Sequence, residues 1–412
     1  MSKQFKIKRS HWSRGGYKAR PHPLFVVFMI LLVGGLGYLG FIIYPPIHSA
    51  IMNWGETRSV ETLPVPDDVT GAENGDPLPP APPPTPPRST DNIRAIYAPP
   101  ALVNNEPALS AFLQSLPDAG INAVMVDIKD NAGQILHTSQ HPQAAALTAE
   151  GAFDLGALSL QLEDLGLALI VRMSAFRDES AARAQPGWAV NFRGPGMLWL
   201  DNFPNMGGRP WLNPHSADAR QYLIELSLEA VRLGAVMVVM DDFQFPPNSM
   251  YGQDAYFGDT GGMTRAERLR GFADELTDRL ANSGARFAIY MTALTIASEP
   301  NTTFYGGPAE DILGRYTVLS ALPYQFPFGF EAEGISLPNP LENLEYTLRQ
   351  ILPRITARID SQPVVVLQGG SLPGGVQYTD EQVRSQVEIL ERLGVREFIF
   401  YAPYVGHYQV LG

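Results

Sequence analysis

The sequence predicts an α/β fold, a (β/α)8 TIM barrel preceded by a single transmembrane helix and a proline-rich linker, and three patterns predict it. After residue 91, apolar runs of five or six residues alternate with longer amphipathic stretches. The runs are nearly continuous rather than alternating, which means burial on both faces, as in a parallel sheet covered by helices. Gly120, Gly166, Gly234, Gly284 and Gly394 each follow a helical pattern and shortly precede a strand, the helix-stop position of an αβ turn.

The expected strands are 93–98, 123–127, 168–173, 236–240, 287–292, 317–321, 364–368 and 397–401. Amphipathic helices are expected at 217–233, 263–281, 341–359 and 380–393, among others. Eight strands in about 320 residues fit a closed barrel better than an open doubly wound sheet. Neither GxGxxG nor GxxxxGK[ST] occurs, so the phosphate-binding turn typical of open sheets is missing.

The remaining chain divides into three parts: a basic tail (1–22), a membrane span (23–45) and a linker (46–90). The tail carries Lys3, Lys6, Lys8, Arg9, Arg14, Lys18 and Arg20 and no acid. From Leu24 to Tyr44 there are 21 residues without a charge, enough to cross a hydrocarbon core of roughly 30 Å and longer than a cleaved signal's apolar region. The positive-inside rule places the tail in the cytoplasm and the barrel in the periplasm or outside the cell. Ten prolines between Pro64 and Pro87 favour an extended polyproline spacer.

The net charge of the chain is −12, and beyond the tail the acidic excess is larger still. Such a surface has no general attraction for phosphate backbones, which argues against a nucleic-acid partner. There is no cysteine, so disulfides and thiolate chemistry are excluded. His137 and His141 lie four apart but in a loop-like segment with no acid to complete a ligand set, so no metal or other cofactor is expected.

Barrel chemistry sits where strands end. Strand 2 runs into Asp127, Lys129 and Asp130, and strand 4 into Asp241 and Asp242. Because neighbouring strand residues face opposite ways, only one of Asp241 and Asp242 can face the barrel mouth. Two carboxyl groups about 5–10 Å apart could hydrolyse a glycosidic bond, and Asp241 with Asp127 or Asp130 could form that pair. A rim ion pair of Asp127 with Lys129 or Arg172 is the structural alternative. Tyr97, Trp188, Trp199, Trp211, Phe243, Tyr290, Tyr324, Tyr401 and Tyr404 offer flat faces for sugars, and Arg172, Gln244, Gln325 and Gln368 offer polar contacts.

These motifs resemble domain of unknown function family 4015, a glycosyl hydrolase-like barrel family, over most of residues 91–412. RAIYAP and NAVMVDIKDNAG match its first two strands, the second carrying Asp127, Lys129 and Asp130. Pro186 to Val190, Trp211 to Pro214, and MDDFQFP with Asp241, Phe245 and Pro246 match later motifs, as do Leu322, Pro323, Tyr324 and Gln368. The resemblance selects Asp241 as the mouth-facing acid. It also implies a glycoside hydrolase-like protein of the cell envelope acting on polysaccharide, with Asp241 as nucleophile or base and Asp127 or Asp130 assisting. Three positions depart from the family: Gln244 replaces an arginine, Tyr290 an acid and Gly369 an aspartate. Glu299, in the loop after strand 5, is the candidate to replace that acid. These losses keep a non-catalytic glycan-binding or scaffolding protein as the alternative.

Overall fold

The computed structural model describes residues 92–246, 254–292, 305–313, 316–320, 330–332, 335–337, 344–357, 359, 362–370 and 379–402. The basic tail, the Leu24–Tyr44 segment and the proline-rich linker lie outside the described residues, as do Glu299, Tyr324, Gln325 and Tyr404. Among the described residues, no helix is long and apolar enough to cross a membrane.

Eight strands form the frame: β1 Arg94–Ala98, β2 Ala123–Lys129, β3 Ala168–Ser174, β4 Ala235–Asp241, β5 Arg286–Thr292, β6 Tyr316–Ser320, β7 Gln362–Gln368 and β8 Glu397–Tyr401. Each pairs in parallel with the next, and β8 returns to pair with β1, so the ring closes. A closed ring has no unpaired edge to protect. The strands fall within two residues of their expected positions.

Helices α1 Glu106–Ser115, α2 Leu155–Asp164, α3 Ala217–Arg232, α4 Arg265–Ala281, α5 Leu344–Thr356 and α6 Asp380–Arg392 lie between them. Their starts are written in the sequence. Asn105, Asp154 and Ser216 each accept a backbone N–H from the first turn. Thr264 with Glu267 and Thr379 with Gln382 form full capping boxes. At the far end of α3, Gly234 has φ of +108° and a Cβ there would sit 2.0 Å from Ser159 Oγ, so only glycine fits.

Alternation along the strands sorts the core into two layers. Ala95, Met125, Ile170, Val239, Ala288, Val318, Val366 and Ile399 fill the inside of the ring. Their neighbours, such as Ile96, Val124, Val171, Val238 and Val365, pack outward with Phe112, Leu223, Phe272 and Leu390 of the helices. The short strands Ile135–His137 and Thr148–Phe153 extend the sheet beside β2, and Asn191–Phe192, from the segment after β3, pairs with Ala255–Tyr256, from the segment after β4. The sequence reading did not include them, because two to six residues are too short to show a period.

An ion pair sits at the base of the ring. Arg286, which opens β5, donates through Nη1 and Nη2 to the two carboxylate oxygens of Glu397 on β8, at 2.8 and 2.7 Å. Glu397 also accepts the Ile93 N–H just before β1, at 3.0 Å. Both side chains are nearly sealed, so losing one partner strands the other's charge. Glu397→Ala is expected to cost about 3–5 kcal/mol in urea unfolding of the purified chain. Adding Arg286→Met should recover much of that loss, and a double variant no more stable than Glu397→Ala would show that the pair does not act as a unit.

Candidate active site

The inward rows of the barrel change character at their last residue. Two residues beyond Met125, Ile170 and Val239 come Asp127, Arg172 and Asp241, and two beyond Val366 comes Gln368. Tyr97, Tyr290 and Tyr401 cap the inner core from β1, β5 and β8. Period-two alternation therefore gathers an acid, a cation, a second acid and three phenols at the C-terminal mouth, from segments far apart in the chain.

Asp127 is the most heavily bonded of these. Arg172 grips it bidentately, Nε to Oδ1 at 2.6 Å and Nη2 to Oδ2 at 3.0 Å, and the Tyr97 hydroxyl donates to Oδ2 at 2.7 Å. The Arg172 guanidinium also lies over the Tyr97 and Tyr290 rings, at 5.1 and 5.7 Å from their centroids. Tyr97 in turn stacks on Tyr401, with ring centroids 4.9 Å apart. Burial and the Asp127 charge raise the Tyr97 phenol's pKa, so it remains a proton donor to Asp127. The side chains of Arg172 and Asp127 keep 17% and 13% of their exposure, so the pair borders the mouth.

Asp241 is held differently. Its Oδ1 accepts the backbone N–H of Asp242 at 2.8 Å, and among the described residues it has no ion-pair partner within salt-bridge distance. Burial first, and then the charge of Asp242, push its pKa up to about 6, while Arg172 pulls the other way. Asp242 leaves the strand with φ of +50°, a left-handed conformation that is costly for a residue with a Cβ. That kink turns its side chain to the Ser174 hydroxyl, which donates to Oδ2 at 2.8 Å. Burial raises the Asp242 pKa as well.

Three neighbours escaped the sequence reading. Ser174 anchors Asp242, and Arg177 lowers that acid's pKa from nearby while its own buried Nε has no hydrogen-bond partner among the described residues. The buried Tyr305 hydroxyl donates to Gln244 Oε1 at 3.4 Å, and burial together with Asp241 and Asp242 raises its pKa. Ser174 ends a strand and was legible by position. Tyr305 arrives from the segment after β5, where the sequence shows no period.

Other expected site residues have hydrogen-bond or ring partners of their own within the fold. Lys129 is fully buried, paired with Asp178 at 2.7 Å and donating to the Ala175 carbonyl, with its ammonium 5.5 Å from the Tyr222 ring centroid. A register shift after Asp127 carries it across the end of β3, so simple alternation misplaces it at the mouth. Asp130 accepts the Ala132 and Gln134 N–H groups and shapes its own turn. Trp211 is buried with its indole N–H on Asp201, Trp199 is sealed, and Trp188 packs on Tyr222. Gln368 is buried, and its backbone exchanges hydrogen bonds with the Gln386 side chain. His137 and His141 face Glu229 and Glu225 of α3 and tie the accessory strands to that helix.

Among solved structures, the chain is similar to a hypothetical protein from Ruminiclostridium thermocellum, at 25% identity over 47% of this chain and 96% of that one, with a TM-score of 0.42. It is also similar to the PgaB (BpsB) glycoside hydrolase domain from Bordetella bronchiseptica, at 16% identity over 75% and 94%, with a TM-score of 0.49. A further similarity is to alpha-L-fucosidase isoenzyme 2 from Paenibacillus thiaminolyticus, at 15% identity over 77% and 48%, with a TM-score of 0.47. No curated protein matches. Residues 95–407 match the model of domain of unknown function family 4015, described as a putative glycosyl hydrolase domain, and the chain belongs to that family.

Proposed function

We propose that this protein is a membrane-anchored glycoside hydrolase acting on polysaccharide of the envelope or cell exterior, with Asp241 as the carboxyl group that moves the proton. The observation that carries this reading is Asp241 itself: an acid ending the inward row of β4, partly exposed and pushed up to about 6. A carboxyl group tuned into that range can protonate a glycosidic oxygen near neutral pH. This argues for an acid role, where sequence reasoning gave Asp241 the part of nucleophile or base.

Asp127 suits a supporting role. With three donors on its two oxygens, it contributes a fixed negative charge near the developing oxocarbenium ion rather than attacking it. Asp242 is the other carboxylate at the end of β4, and Tyr97, Tyr290 and Tyr401 offer ring faces to the sugar. A second reading is a glycan-binding protein without turnover. It is favoured by the same engagement of Asp127, and by Tyr290 standing where the family resemblance led to an acid.

Anchoring rests on the uncharged Leu24–Tyr44 segment, the basic tail before it and the proline-rich spacer after it. Because the natural chain has no cysteine, single introduced cysteines report topology cleanly. Ser89→Cys is expected to react with a membrane-impermeant maleimide on cells whose cytoplasmic membrane is intact, and Ser2→Cys only after that membrane is broken. The reverse pattern overturns the orientation.

The catalytic reading is tested by incubating the chain with cell-wall glycans and exopolysaccharides and measuring released sugars. Asp241→Asn is expected to lower kcat/KM by about 10²–10⁴-fold, the usual worth of a positioned acid or base. With Asp241 as the acid, the rate falls as pH rises through about 6; a rate that instead falls as pH drops through that value assigns it the base. Product release unchanged in Asp241→Asn removes it from catalysis, and glycan binding without release in the natural chain favours the second reading.

The same shift makes a stability prediction of opposite direction. A carboxyl group with a raised folded pKa is destabilising when ionised, so its cost is present at pH 7 and disappears below the ordinary value of 3.8. Asp241→Asn is therefore expected to raise Tm at pH 7, with the gain shrinking toward zero as pH falls below about 4. A Tm gain that is the same at both pH values contradicts the raised pKa of Asp241.

A further inference from the structure

The segments that follow β3 and β4 enclose an open cavity of about 220 Å³, lined among others by Asn191, Asn213, His215, Ser216, Tyr256 and Asp259. Phe245, four residues beyond Asp241, links it to the end of β4, with its ring centroid 5.3 Å from that of His215. The walls are fixed by bonds within the fold. Asn191 pairs with Tyr256 in the short antiparallel ribbon, and its Oδ1 accepts the Gly196 N–H at 2.9 Å. Asn213 Oδ1 accepts the His215 N–H at 2.9 Å while its Nδ2 donates to the Phe257 carbonyl at 3.0 Å, clamping one segment to the other.

The chemistry of this lining suits a hydroxyl-rich partner that carries no negative charge. Among the described residues, no lysine or arginine lines the cavity. Burial pushes His215 down to about 4, so its imidazole is neutral at pH 7. Ser216 Oγ accepts the Ala219 N–H at 3.2 Å, which leaves its hydroxyl proton to donate. Asp259 accepts the Gly261 N–H through Oδ1 at 2.8 Å, and among the described residues no ion pair engages its carboxylate, so Oδ2 is open to a donor. Tyr256 keeps 41% of its exposure and presents an aromatic ring beside these groups. A sugar ring matches that combination, because its C–H faces are apolar and its edge hydroxyls both donate and accept. The Asp259 charge repels a unit that bears a carboxylate, sulfate or phosphate.

We propose that this cavity is a secondary subsite for a neutral or amino-bearing sugar unit, with Tyr256 stacking on the ring and Ser216 and Asp259 bonding its edge. Both enclosing segments leave the barrel at the C-terminal ends of their strands, so a glycan chain with one unit here continues toward the mouth. That continuation rests on the hydrolase reading above, while binding in the cavity is measured without turnover.

The purified full chain is titrated with hexasaccharides of glucose, glucosamine and N-acetylglucosamine, and with oligoglucuronate as the acidic control, following calorimetry and the His215 ring resonances. At least one of the first three is expected to bind and shift those resonances, and oligoglucuronate to do neither. Tyr256→Ala, at an exposed position, should weaken that binding about tenfold. In a chain that releases product, the same variant should raise KM for the hexasaccharide about tenfold, with kcat and the turnover of a disaccharide substrate unchanged. Binding that leaves the His215 resonances unmoved places the sugar elsewhere and overturns the subsite, even if Tyr256→Ala misfolds. Preference for oligoglucuronate, or no binding by any of the panel, overturns it as well. Binding that follows Tyr256 in a chain that cleaves no glycan sinks the hydrolase reading alone, and cleavage indifferent to Tyr256→Ala sinks the subsite alone.

Discussion

The arrangement depends on a geometric constraint: in a closed ring of parallel strands, every second residue of each strand faces a space too narrow for anything but side chains. Lower in the ring these residues are apolar, Ala95, Met125, Ile170, Val239 and Val366 among them. Polarity is accommodated at the two ends of these rows, at the base only as the paired Arg286 and Glu397, and at the final inward position where the space opens to solvent. Asp127, Arg172, Asp241 and Gln368 occupy that level because the strands' alternation and mutual register put them there. The chemistry of the mouth is thus a consequence of strand register before it is a property of any one residue.

Two charged arrangements follow from that geometry, and they are balanced differently. Arg172 meets Asp127 through two hydrogen bonds, and Tyr97 adds a third, so the desolvation of both charges is met by directed partners. Asp241 receives one backbone N–H and the more distant field of Arg172, against the repulsion of Asp242. The left-handed turn at Asp242 keeps the two adjacent acids on separate partners, one toward the mouth and one on Ser174. A proton is therefore more easily carried at Asp241 than on an ordinary carboxyl group.

Much of this was legible in the sequence, for a physical reason. Long apolar runs, glycine stops and caps are local signals, and the ring follows from them with boundaries correct to about two residues. The mouth was legible only where alternation continues undisturbed, as at Tyr97, Arg172, Asp241 and Tyr401. Lys129 failed because the register shift after Asp127 breaks the period, and its buried partner Asp178 lies 49 residues away. The close approach of Gly133 to Asp178, where a Cβ would lie 1.8 Å from Oδ1, shows how tightly that ion pair is enclosed. Trp211 failed for a related reason: its indole partner Asp201 belongs to a loop whose path no periodicity encodes. Contacts made by loops are set by tertiary packing, and single-sequence patterns carry little of it.

The two ends of the ring make the final distinction. At the base, Arg286, Glu397 and the Ile93 N–H satisfy one another across β5, β8 and the approach to β1. With three donors on it, the Glu397 carboxylate has little reason to bind anything else, and its value is to fix those strands together. At the mouth the acids and cations are comparably drawn from distant strands, yet among the described residues no ion-pair partner reaches Asp241, whose pKa is raised. Folding alone would favour giving Asp241 a directly bonded cation, as Glu397 has below, because incompletely paired buried charge is costly. The contrast between Glu397 and Asp241 within one barrel supports the proposal that the mouth is the end where chemistry is done.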